Sequence, residues 1–272
     1  MPTYDFDDVV VLVTGAGRGQ GRSHAVRFAD HGADVVALDV TADLETVAYS
    51  LSTPADLAET VRQVEAVGGR ALEVTADVRE ESQVESAVAD AIAAFGRIDV
   101  LVTNAGVWHS RDLLALEAAM WDETLETNLK GAWLCAKHVG QHFRERGEGG
   151  RIVTVASTAG LVGARGSGHY AAAKHGVVGL TKTLALELAD DDVTVNCVCP
   201  TGVDTPMIDG VLTQVGTEPF ERLSDVAGPM NVIDGGLIDP ADVSKACLWL
   251  ASDAARSVTG AVVPVDAGMT AK

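Results

Sequence analysis

The sequence predicts an α/β fold: a single-domain, doubly wound parallel sheet of about seven strands with helices on both faces. Three observations carry this. Short apolar runs alternate with longer stretches of helical spacing along the whole chain. The runs are rich in Val, Ile and Leu without strict alternation, as strands covered on both faces should be. No repeat, low-complexity stretch or linker splits the 272 residues, so 1–272 read as one unit.

The first run, 9–14, ends in Thr14-Gly15-Ala16-Gly17-Arg18-Gly19-Gln20-Gly21 and leads into a helical pattern. Glycines there let the backbone turn tightly and approach a pyrophosphate. The helix N-terminus then offers free N–H groups and a positive dipole to the anion. Run, turn and helix stand in the order a dinucleotide site requires. The second run, 34–39, ends at Asp39, 18 residues after Gly21. A carboxylate there accepts ribose hydroxyls and repels a 2′-phosphate, which points to NAD over NADP. Arg18 is the counter-signal, because a guanidinium in the loop can pair with that phosphate. Asp39 is expected to dominate, since a carboxylate facing a phosphate is strongly unfavourable.

Residues 40–55, with Tyr49, Ser52 and Pro54, form an insert before the next helix. Runs at 71–75 and 100–103 follow, and Val84, Val88, Ile92 and Phe95 space a helix between them. Runs at 152–156 and 193–198 bracket a second such helix, marked by Val177, Leu180, Leu184 and Leu188. Residues 205–236 carry Pro206, Pro219, Pro229 and several glycines, and read as a loop or short-helix lid. Long loops in compact domains are more often functional than not. The last run is 261–265.

Composition narrows the function classes. Apolar residues make up 47%, enough for a sizeable core. The net charge of −19 repels phosphate backbones and anionic membranes, so no nucleic-acid or membrane partner is expected. The four cysteines form no Cys-x-x-Cys pair or zinc pattern, and reduced thiols are expected. Residues 1–8 lack a basic segment and the apolar run 9–13 is too short for a signal or a span, so a soluble cytoplasmic protein is expected. His138 and His142 stand one helical turn apart without a third ligand; a solvated helix face is the expectation, and no metal.

These motifs together resemble the short-chain dehydrogenase/reductase family over nearly the whole chain. Its glycine pattern is matched by Thr14, Gly15, Gly19 and Gly21. Its adenine-contacting pair is matched by Asp77-Val78, and its Asn-Ala-Gly turn by Asn104-Ala105-Gly106. Its catalytic set is matched by Asn128, Ser157, Tyr170 and Lys174, with the serine 13 residues before the tyrosine. The resemblance implies a Rossmann fold and NAD contacts from Gly15, Arg18, Gly19, Gln20, Gly21, Asp39, Asp77, Val78, Asn104, Ala105, Gly106, Tyr170, Lys174, Pro200, Val203, Thr205 and Met207. Thr205 matches the family's nicotinamide-amide contact. Thr201 departs from the family, which usually has glycine after the proline of strand six. A homotetramer packed through helices at 119–144 and 170–189 is also implied.

The segment around Tyr49-Ser50-Leu51 and Pro54-Ala55-Asp56-Leu57, the stretch Pro200-Thr201-Gly202-Val203-Asp204-Thr205-Pro206-Met207 and the ending Pro264-Val265-Asp266-Ala267-Gly268 resemble a narrower, mycofactocin-coupled branch that includes carveol dehydrogenase-like enzymes. That branch implies a tightly held NAD, reoxidised in place by the carrier mycofactocin.

Tyr170 and Lys174 lie one helical turn apart and share a face. A free tyrosine titrates at about 10, too high for a base at neutral pH, and a nearby ammonium lowers that value. Ser157 ends a strand at the edge where ligands of such sheets bind, and can hydrogen-bond a substrate oxygen. By the resemblance, Lys174 also reaches the nicotinamide ribose and Asn128 holds a water beside Lys174. Trp108 and His109 follow the Asn-Ala-Gly turn, where a substrate-pocket role and plain packing are both open. The expected chemistry is hydride exchange between NAD and a secondary alcohol or ketone, terpenoid substrates such as carveol included. The alternatives are a ketoreductase such as 3-oxoacyl-carrier-protein reductase, which Asp39 disfavours, and a non-catalytic NAD sensor, which has no need of the four catalytic-type residues. The insert is expected to fold over the adenosine half of NAD.

Overall fold

A computed structural model of the chain describes residues 4–215, 231–233 and 236–271. Its seven strands are all parallel: β1 (Val10–Thr14), β2 (Asp34–Asp39), β3 (Ala71–Thr75), β4 (Val100–Thr103), β5 (Gly150–Val155), β6 (Val193–Pro200) and β7 (Val262–Val265). They lie in the order β3-β2-β1-β4-β5-β6-β7. The chain winds outward from β1 to β3, then crosses to the other side of β1 for β4. That reversal leaves a crevice beyond the carboxyl ends of β1 and β4, where ligands of such sheets bind.

The absence of alternation in the strand sequences has a direct cause. Successive residues of β1 leave on opposite faces. Val11 and Val13 join Phe28, Val35 and Leu57 in one core, while Val10 and Leu12 join Val36, Leu101 and Phe143 in the other. Each such burial contributes roughly 1.5–3 kcal/mol, so both faces of a strand can be apolar without waste. Helices α1 (Gly19–Asp30), α2 (Pro54–Ala66) and α8 (Pro240–Ala251) cover the first face. Helices α3 (Glu81–Phe95), α5 (Gly131–Arg146) and α6 (Gly168–Glu187) cover the second. None of the helices among the described residues is long and apolar enough to cross a membrane.

The structure refines the sequence reading at three places. The insert ends at Thr53, because Thr53 and Asp56 cap α2 reciprocally and Pro54 takes its first turn. The buried line of α6 runs through Val177, Thr181, Ala185 and Leu188, with Leu180 and Leu184 only half-buried. Thr181 can take a core position because its hydroxyl bonds the Val177 carbonyl and the Thr154 hydroxyl. The stretch read as a lid opens with helix α7 (Pro206–Val215), while 216–230 and 234–235 lie outside the described residues.

Candidate active site

The glycine turn after β1 is built for close approach. Gly15 has φ +65°, and a Cβ on it would lie 2.8 Å from the Ala105 backbone; Gly19 has φ +54°. A Cβ on Gly21 would come within 1.9 Å of the Gly15 carbonyl oxygen. Gly21 therefore packs α1 against the turn, while Gly15, Arg18, Gly19 and Gln20 line the cleft itself. Helix α1 begins with no side-chain cap and no acid in its first turn, which leaves its leading N–H groups for an anion. The turn is tied to β4 by Asn104, whose amide donates to the Thr14 and Gly15 carbonyls at 3.0 and 3.2 Å. These features fit the pyrophosphate of a dinucleotide.

Asp39 lines one end of this cleft. Its carboxylate accepts from Gly17 N at 2.8 Å, from Thr41 N at 3.2 Å and from the Ser52 hydroxyl. These three bonds fix its orientation, and a carboxylate so placed fits ribose hydroxyls better than a 2′-phosphate. Asp77 and Val78 also line the cleft, with the Asp77 carboxylate paired to Arg79 at 2.7 Å. Ala105, Gly106, Thr205 and Met207 continue the lining toward the other end. Pro200 and Val203 are buried behind it.

The sequence reading expects the insert over the adenosine half of NAD but does not say which of its residues reach the cleft. Val40, Leu44, Leu51 and Ser52 all line the cleft. Leu44, Val47 and Tyr49 form a small core with Val107 and Val211, against which Trp108 and Met207 pack. The Thr46 hydroxyl donates to the buried Glu123 on helix α4 (Ala118–Leu125), and Glu123 pairs with Arg79 at 3.5 Å. An irregular segment has no period, so its apolar residues gave no signal beyond their presence.

The catalytic-type residues gather just past Gly106. A Cβ on that glycine would be 3.1 Å from Asn128 Oδ1 and 3.7 Å from Lys174 Nζ. Asn128 sits in a π-helical turn, Glu126–Lys130, that joins α4 to α5, a deviation frequent at functional sites. Its side chain braces Val107, accepting from the N–H and donating to the carbonyl, both at 2.8 Å, and keeps a second lone pair and a second N–H. Ser157 follows β5; its oxygen accepts from Ala159 N at 3.1 Å and keeps its hydrogen to donate. Lys174 is buried, its ammonium donating to the Val155 carbonyl at 2.9 Å and lying 5.6 Å from the Tyr170 ring centre. Burial pushes the Tyr170 phenol up to about 12, with the Ser157 hydroxyl pulling the other way. Burial lowers Lys174 to about 8, so it is still an ammonium at neutral pH.

Trp108 and His109 differ in placement. The Trp108 ring faces Tyr170 with centres 6.3 Å apart, and its indole N–H donates to Ser167 at 2.8 Å. His109 is buried, with its ring nitrogens facing the hydroxyls of Thr124 and Thr46. Thr201, the family departure, accommodates its side chain by donating to Asn231 at 2.9 Å. Of the two helical histidines, His142 accepts from Ile98 N and His138 lies beside Glu81. All four cysteines are free and buried.

Residues 15–270 match the family model described as enoyl-(acyl carrier protein) reductase. The chain is 41% identical over 263 residues to an NAD-dependent oxidoreductase of Mycobacterium tuberculosis, covering 95% of this chain and 94% of that one. It is 41% identical over 276 residues to (-)-trans-carveol dehydrogenase of Rhodococcus erythropolis, covering 97% and 98%. Among solved structures, carveol dehydrogenase from Mycobacterium avium in complex with NAD superposes with a TM-score of 0.92 at 38% identity, over 99% of this chain and all of that one.

Proposed function

The chain belongs to the short-chain dehydrogenase/reductase family and is an NAD-dependent oxidoreductase; from that premise we propose that it interconverts an apolar secondary alcohol, of the carveol class, and its ketone. The observation that carries this reading is the meeting of Ser157, Tyr170 and Lys174 beyond Gly106, at the end of a cleft whose other end is Asp39. NAD held along that cleft supplies the acceptor for the hydride that leaves the alcohol carbon.

The residues supply the rest. Ser157, whose hydroxyl otherwise bonds Tyr170, donates to the substrate oxygen and fixes its position. Tyr170 as phenolate takes the hydroxyl proton. Burial alone opposes this, because it disfavours the phenolate. The Lys174 ammonium offsets that penalty at neutral pH, where it is charged. In the reverse direction Tyr170 returns the proton as the ketone is reduced. Replacing Tyr170 by Phe should lower kcat by about a hundredfold or more and leave the NAD dissociation constant within about threefold. Turnover of a secondary alcohol at the wild-type rate by that variant would sink the assignment.

The branch resemblance adds a retained NAD, reoxidised by mycofactocin. The insert supports it, because Leu44, Leu51 and Ser52 close over the cleft and Thr46 fastens them to α4. Protein purified without added nucleotide and then denatured should release near-stoichiometric NAD, and a variant shortened within 42–50 should release far less. An empty wild-type protein would remove this part of the reading.

A further inference from the structure

Tyr49 packs with Leu44 and Val47 of the insert, yet it also reaches the Trp108 corner and α7. Its phenol oxygen accepts from the backbone N–H of Trp108 at 3.1 Å. Its ring lies on α7, where a Cβ added to Gly210 would come within 2.6 Å of the Tyr49 Cβ and Cγ. Glycine at 210 is thus what lets the ring seat. Tyr49 is 8% exposed and shares a core with Val107, Val211 and Trp108. The Trp108 amide is held by Tyr49 at one end and its indole N–H by Ser167 at the other. Ser167 is the residue that precedes α6, the helix of Tyr170 and Lys174. Val107, next in the chain, is gripped at both backbone groups by Asn128.

We propose that Tyr49 is a positioning residue for substrate: through its bond to the Trp108 amide it sets the Trp108 indole against Tyr170 and so fixes one wall of the substrate site. The inference rests on the proposed alcohol dehydrogenase reading of that site. In it, the insert shapes the substrate end of the cleft as well as the adenosine end. An aromatic wall beside the base favours an apolar substrate, because it offers broad contact area and one fixed orientation.

Tyr49→Phe keeps the ring against Gly210 and removes only the acceptor of the Trp108 N–H. Three readings follow. Hydrogen–deuterium exchange of the peptide carrying Trp108, measured on protein in its native cofactor state, should quicken. KM for a secondary alcohol should rise about five- to tenfold, the size of one lost buried hydrogen bond, while kcat and the melting temperature stay near wild type. Tyr49→Ala should in addition alter the ranking of bulky against small alcohols. Unchanged exchange in Tyr49→Phe would overturn the proposal, as would faster exchange with KM and ranking unmoved. A wild-type protein without turnover on any secondary alcohol would instead take down the function reading. The exchange measurement needs no turnover and so tells the two failures apart.

Discussion

At Asp39 a single carboxylate serves two duties. It terminates β2 at the cleft, and it gathers Gly17 N, Thr41 N and the Ser52 hydroxyl into one hydrogen-bonded knot. Its charge is what should separate NAD from NADP, because a like-charged 2′-phosphate brought against it costs several kcal/mol. Asp39→Asn keeps the shape and removes the charge. The ratio of NAD to NADP dissociation constants, measured by calorimetry, should then narrow by at least about tenfold. Arg18, already lining the cleft, would be free to favour the phosphate. An unchanged ratio would show that Asp39 does not read the ribose. The position of Asp39 was legible, since an apolar run that closes on an acid marks the end of the second strand. The knot was not legible: Ser52 lies 13 residues on, in a stretch without regular structure.

Between elements, the contact of α1 with α8 holds a titratable group away from water. His24 is fully buried, and its Nδ1 meets the Ser244 hydroxyl oxygen at 2.8 Å. That hydroxyl also meets the Ser23 hydroxyl and the Pro240 carbonyl, which ties the ring into the α1–α8 contact. Burial lowers His24 to about 3 from 6.5. A depressed histidine contributes stability that is complete above the unfolded value and is lost as pH falls toward the folded one. Unfolding free energy should therefore drop on the order of 2–3 kcal/mol between pH 6.5 and about 4.5 from this group. His24→Asn should flatten that acid limb in denaturant titrations run across pH. An equally steep limb in the variant would assign acid lability elsewhere. His169, also buried and lowered to about 4, makes a second contribution of the same sign.

For the molecule as a whole, the chain declared most of its frame. Runs covered on both faces had to be central parallel strands, and their carboxyl ends had to carry the site. The glycine turn, Asp39, Ser157, Tyr170 and Lys174 could be placed from spacing because strand ends and helix turns have fixed geometry. What stayed hidden depends on tertiary meeting alone. Tyr49 is an aromatic residue in an irregular stretch, and nothing near it in sequence says that α7 carries a glycine to receive it. The place of Thr181 in the buried line of α6 stayed hidden for a related reason: hydroxyls can take core positions when their bonds are met inside. The seating of Tyr49 on Gly210 also bears on how such proteins can be recombined. Residues 44–52, the Val107–Trp108 corner and α7 interlock as one block, though they are far apart in the chain. A chimaera that borrows α7 from a relative to change its selectivity must borrow the insert with it, and descent with altered substrates should have moved the three together.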